Sequence, residues 1–191
     1  MKNPLFVVLF LLIISACGQP SADAAKQPNP FFSTTPPSRL YFKNMRSYYY
    51  QQRTMPQTRT DLYTLKTLPT QADYPMLIPI IADNWMQDEA YLLLERNNHS
   101  AWPADTVRFR WQDPQSGQHG FINWSENTMR AQYDLAEAIA QQLALGHKFS
   151  IIQADSTVIP VFEEKEYIAN FLKIKTDYEG LIELKRKTGK K

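Results

Sequence analysis

Three histidines, one cysteine and a few paired acids are the residues of this 191-residue chain that could carry bond-making chemistry. His99, His119 and His147 are its only histidines. None stands at an HxH or HExxH spacing, so a metal centre would need ligands converging from distant parts of the chain. No GxSxG elbow offers a serine nucleophile, and the six glycines form no phosphate-cradling loop. Glu163 and Glu164, or Asp83 with Asp88, are acidic pairs, but spacing along the chain does not set the carboxyl separation a glycosidase needs. The sequence therefore gives no catalytic residue, metal or cofactor, and its chemistry reads as that of contact.

Cys17 is the only thiol, and it closes the run Leu5-Phe-Val-Val-Leu-Phe-Leu-Leu-Ile-Ile14-Ser15-Ala16. Met1 and Lys2 supply a positive start, residues 5–14 are all apolar, and Ser15 and Ala16 are small enough for a peptidase cleft. A helix of those ten residues would reach about 15 Å, half of a bilayer's hydrocarbon thickness, so it reads as a signal and not as a span. Ile14-Ser15-Ala16-Cys17 resembles the lipobox of bacterial lipoproteins. The resemblance covers the first 17 residues and implies a diacylglyceryl group on Cys17, cleavage before it and acylation of the new amino group. It implies a palmitate-bearing envelope lipoprotein held on a membrane through Cys17, since two or more chains anchor stably where one does not. Gly18 stands where an aspartate would retain a lipoprotein in the inner membrane, so the outer membrane is implied, with the periplasm-facing side preferred. A plain secreted chain with a stray thiol at Cys17 is the competing reading.

Two stretches could make contacts. Arg39 to Arg53 interleaves Tyr41, Phe42, Tyr48, Tyr49 and Tyr50 with Lys43 and Arg46, a composition suited to stacking on bases or sugars. An envelope address argues against nucleic acid, and tyrosines are also good strand formers. Farther on, Val107, Phe109 and Trp111 alternate with Arg108, Arg110 and Gln112, the period-two pattern of a half-buried strand. His119 to Trp124 returns after the turn-forming Asp113-Pro-Gln-Ser-Gly117. Pairing Gln112 with His119 puts Val107, Phe109, Trp111, Ile122 and Trp124 on one face, and Arg108, Arg110, His119, Phe121 and Asn123 on the other. Of the four tryptophans, Trp111 and Trp124 are then assigned to the core, and Trp85 and Trp102 to connecting segments.

The elements that position these residues follow from composition and period. Residues 1–16 are the signal, 17–38 a Pro-, Ala-, Ser- and Gln-rich tether, 39–186 a single domain and 187–191 a basic tail. Hydrophobic content of 43% with 13% aromatics supports one packed core in the domain. With 21 Lys+Arg against 19 Asp+Glu, the chain as a whole makes no case for a polyanionic partner. A helix is expected over about 126–145, capped by Ser125 and closed by Gly146, and a second over about 164–179, which Gly180 either ends or weakens. A hairpin is expected at 148–153 and 157–162, and strands at 76–81 and 90–95, with Pro79 pushing the first towards an edge. Residues 40–51 and 61–66 read as a tyrosine-rich hairpin, with a helix over 40–51 as the alternative. The sum is an α+β domain, mainly antiparallel sheet with two helices on one face. The functional expectation is a tethered, non-catalytic module that docks an envelope protein through Arg108, Arg110, His119 and Phe121 or through Tyr48, Tyr49 and Tyr50. Binding of cell-wall glycan or another small ligand is the alternative.

Overall fold

The computed structural model describes residues 32–69, 72–103, 106–125 and 128–183. In chain order the elements are α1 (Pro36–Tyr41), a π turn (Phe42–Arg46), a 3-10 turn (Ser47–Tyr49), β1 (Tyr50–Met55), β2 (Thr60–Leu65), β3 (Leu77–Asn84) and β4 (Glu89–Arg96). These are followed by β5 (Val107–Gln112), β6 (His119–Trp124), α2 (Met129–Ala144), β7 (Lys148–Ile152), β8 (Val158–Val161) and α3 (Lys165–Leu181). The α+β class is as expected. The strands fall into two antiparallel four-stranded sheets and not one: β1-β2-β3-β4, and β6-β5-β7-β8.

The register of β5 and β6 is the one the alternation dictates, with Gln112 opposite His119 and Val107 opposite Trp124. Phe109 and Ile151 are fully buried and Val107 nearly so, which puts the apolar face inward. Gly120 lies directly across from Trp111, and a Cβ there would come within 2.6 Å of the indole. The ring covers the bare backbone and stacks on His147, with centroids 5.1 Å apart.

Both long helices differ from expectation only at their ends. Thr128, not Ser125, caps α2, its hydroxyl accepting from the Ala131 N–H at 3.0 Å. Gly180 lies inside the last turn of α3. Lys175 joins the helices by reaching Glu137 of α2 at 2.7 Å and Glu179 at 2.8 Å.

The N-terminal part departs further. Residues 32–38, expected in the tether, are packed: the Ala90 N–H donates to the Phe32 carbonyl, the Thr34 N–H donates to that of Asp88, and Phe32 and Ser38 are buried. Thr35 and Ser38 cap each other across the Pro36-Pro37 start of α1. The Ser38 hydroxyl then donates to the Leu181 carbonyl at 2.6 Å, satisfying an acceptor that the end of α3 would leave unpaired. Residues 40–49 are helical, so the hairpin is built from β1 and β2 alone.

Two aromatics tie the sheets together. Phe162 follows β8 with φ of +58°, a left-handed conformation that is strained for a bulky side chain. It is held there by three rings: Phe149 of β7 at 5.7 Å, Phe171 of α3 at 5.2 Å, and Tyr167 of α3, stacked at 4.9 Å and 2°. Tyr167 in turn reaches the other sheet, where its hydroxyl donates to the Leu77 carbonyl at 2.7 Å and accepts from the Leu77 N–H at 2.9 Å. β2 pairs with β3 only from Tyr63↔Ile81 onward, so the hydroxyl satisfies backbone that no strand covers. β3 lies between β2 and β4 and not at the edge that Pro79 suggested; by the alternation of an antiparallel ladder, Pro79 faces the same side as Leu77, beyond the last β2–β3 pair, so its missing N–H removes no bond of that ladder. Tyr167→Phe keeps the ring and leaves both Leu77 groups unpaired in the core. It is expected to lower unfolding free energy by about 2 kcal/mol in urea titration; a loss below about 0.5 kcal/mol would contradict this role.

Candidate interaction surface

Among the described residues no helix lies on the outward side of the second sheet, whose Arg108, Gln112, His119, Phe121 and Asn123 are exposed, and β-pairing arranges the residues of this side in rows. His119, Gln112 and Lys148 form one row; Phe121, Arg110, Ser150 and Pro160 the next; Asn123, Arg108, Ile152 and Val158 the third. Arg108, His119, Phe121 and Lys148 are exposed, and Arg110 is half-buried. The Arg108 guanidinium lies 4.1 Å from the centre of the Phe121 ring, a diagonal contact across the strand pair, and His119 meets the same ring edge-on at 5.8 Å. The Nε of Arg110 is shielded from water and has no hydrogen-bond partner. Among the described residues, Arg108, Arg110 and Lys148 pair with no carboxylate, and the three rows contain none. The face is a basic sheet surface with one aromatic at its centre. Sequence alternation placed Arg108, Arg110, His119 and Phe121 together, but Lys148 joins them only through the β5–β7 pairing.

Tyr48, Tyr49 and Tyr50 do not act as one unit. Tyr48 is 77% exposed and Tyr49 also faces solvent, whereas Tyr50 is core. The Tyr50 hydroxyl donates to Asp177 at 2.7 Å, and burial beside that carboxylate pushes its pKa far up. Asp177 also takes Arg46 at 2.7 Å, so one acid of α3 fixes both ends of the turn that carries Tyr48 and Tyr49. Lys66 stands 5.1 Å from the Tyr48 ring, and Lys173 stands 4.4 Å from that of Tyr49.

A groove of about 600 Å³ runs between α1 and α3, lined by Pro37, Tyr41 and Leu181, with Asp177 and Glu179 at its wall. It has the volume of a ligand site but no tryptophan. Trp85 is 42% exposed in the β3–β4 turn, and the Trp102 indole donates to Asn97 while packing on Phe109. Among the described residues, no three His, Cys, Asp or Glu converge on a point, and no helix is long and apolar enough to cross a membrane. Cys17 lies outside the described residues.

Asp83 is fully buried, directly opposite Asp61 on β2. Arg39 of α1 holds it at 3.0 Å and reaches the exposed Asp88 at 2.8 Å, while the second carboxyl oxygen of Asp83 has no partner. Burial outweighs the pull of Arg39 and raises the Asp83 pKa; Arg39, with two acids, stays charged. Arg39 thereby ties α1 to β3 and to the β3–β4 turn.

Comparison with protein-family models, curated proteins and solved structures returned no match. An acid whose folded-state pKa lies above its unfolded value near 3.8 contributes most stability below that pH, and the contribution falls as pH rises through the folded value. Asp83→Asn keeps an acceptor for Arg39 and removes that decline. Urea melts between about pH 4 and pH 7 should show a shallower fall in the variant; parallel curves would show that Asp83 does not cause the slope.

Proposed function

We propose that the chain is a lipid-tethered module of the bacterial envelope, anchored through Cys17, that docks an acidic surface of another envelope protein without catalysis. The observation that supports this reading is the exposed sheet face, where Arg108, Arg110 and Lys148 surround the exposed Phe121 with no acid among the described residues of the face. An aromatic flanked by arginines is the composition of a binding hot spot, and three uncompensated cations select a partner of opposite sign.

Magnitude limits the kind of contact. Four strands about 4.8 Å apart and about five residues long make a face of roughly 300 Å², well below the ~800 Å² per partner of a stable interface. The contact belongs to the transient class, and tethering compensates by raising the local concentration of the module. The groove beside α1 supports the glycan alternative less well, because Arg46 and Asp177 in its wall are committed to each other.

The lipidated protein, captured from cross-linked envelopes, should bring down a discrete protein set that is lost in the Arg108→Ala/Arg110→Ala double variant. Recovery of the same set by both forms would show that this face is not the docking surface.

A further inference from the structure

A second surface lies on the helical run between Pro36 and Tyr49. Leu40, Tyr41, Met45, Tyr48 and Tyr49 are all exposed large apolar side chains, five within ten consecutive positions. Apolar residues scattered singly over a surface are ordinary, but such a concentration marks a contact site. The chain holds this run firmly: Phe42 is buried against Tyr50 and Tyr63, and Arg46 and Tyr50 are both tied to Asp177. Its outward side chains are therefore presented and not collapsed inward. Lys66, whose ammonium also donates to the Tyr48 carbonyl at 2.8 Å, and Lys173 border the two tyrosines.

We infer that this patch rests on the bilayer surface, its tyrosines and Met45 at headgroup level and its lysines against anionic phosphates. Tyrosine suits that depth because its ring is apolar and its hydroxyl is wet, and lysine buries its methylenes while its ammonium meets the phosphates. The inference rests on Cys17 as the anchor, and the chain length argues for the membrane as occupant. Phe32, the first described residue, follows Cys17 by only 15 positions, and 15 residues of any conformation span at most about 54 Å. The helical run begins four positions later, and its Leu40 and Tyr41 are the first exposed large apolar side chains among the described residues. α3 extends from the sheet junction at Lys165 to Asp177 beneath the run, about 18 Å of helix. Membrane contact at this end leaves the basic sheet face clear for the partner, and the two surfaces can act together.

The test uses the full chain with Cys17→Ser and Asn44→Cys, an exposed position within the patch, labelled with a polarity-sensitive dye; a Gln115→Cys chain labelled in the β5–β6 turn is the control. Vesicles of phosphatidylcholine alone are compared with vesicles containing one third phosphatidylglycerol. The emission at position 44 should rise on the anionic vesicles and stay flat at position 115. In the Lys66→Ala/Lys173→Ala background, the docked-to-undocked ratio should fall about thirtyfold, the effect of two lysines near an anionic surface. A chain that sediments with vesicles while position 44 stays dark overturns the inference, as does an equal rise at both positions. A rise that follows protein concentration without vesicles assigns the patch to a second copy and likewise overturns it. The mass of the N-terminal peptide from the native chain reports acylation of Cys17 separately, so failure of the anchor and failure of the patch are told apart.

Discussion

The stacked contact between Phe162 and Tyr167 is the junction on which the outward direction of the second sheet depends. A left-handed phenylalanine costs on the order of 1–3 kcal/mol and persists only when its surroundings leave no alternative. Here the surroundings are Phe149 from one sheet and Tyr167 and Phe171 from α3. Tyr167 then spends its hydroxyl on Leu77 of the other sheet. The chain Phe149–Phe162–Tyr167–Leu77 makes one body of two sheets that share no strand. Because the apolar side of the second sheet turns inward to this junction, its opposite side, with Arg108, Arg110, Lys148 and Phe121, is the one left to solvent.

At the other end of α3, Asp177 performs the equivalent task for the N-terminal run. A carboxylate accepting from both Arg46 and Tyr50 replaces the water each would lose, which makes burial of this corner tolerable. Ser38 and Thr35 add bonds to Leu181 and Glu183 at the helix end. The same helix thus sets the direction of both surfaces: the sheet face at its start, the tyrosine-bearing turn near its end.

How much of this the sequence shows depends on the range of the interaction. The β5–β6 hairpin and α2 are legible because a single local period, two or 3.6 residues, decides which side is buried. Residues 32–38 were expected in the tether because their prolines and serines have linker composition, yet Thr35-Pro36-Pro37-Ser38 is also a capping sequence at a proline-started helix. The tyrosines of 48–50 favour strands by propensity, but packing overrides it: Tyr50 begins β1, while Tyr48 and Tyr49 end a helical run. Lys148, Lys173 and Asp177 belong to the surfaces or their supports only through contacts across long stretches of chain, and no local pattern announces them. The division into two sheets has the same origin.

The central claim is that the outer face of the second sheet is the working surface. It is tested most directly by a photo-reactive phenylalanine analogue at position 121 in the native chain in its own cells, with the same analogue at Arg53 on exposed β1 as reference. Irradiation should give a discrete protein adduct from position 121 and none from position 53. No adduct at 121, or the same adducts from both positions, would contradict the account.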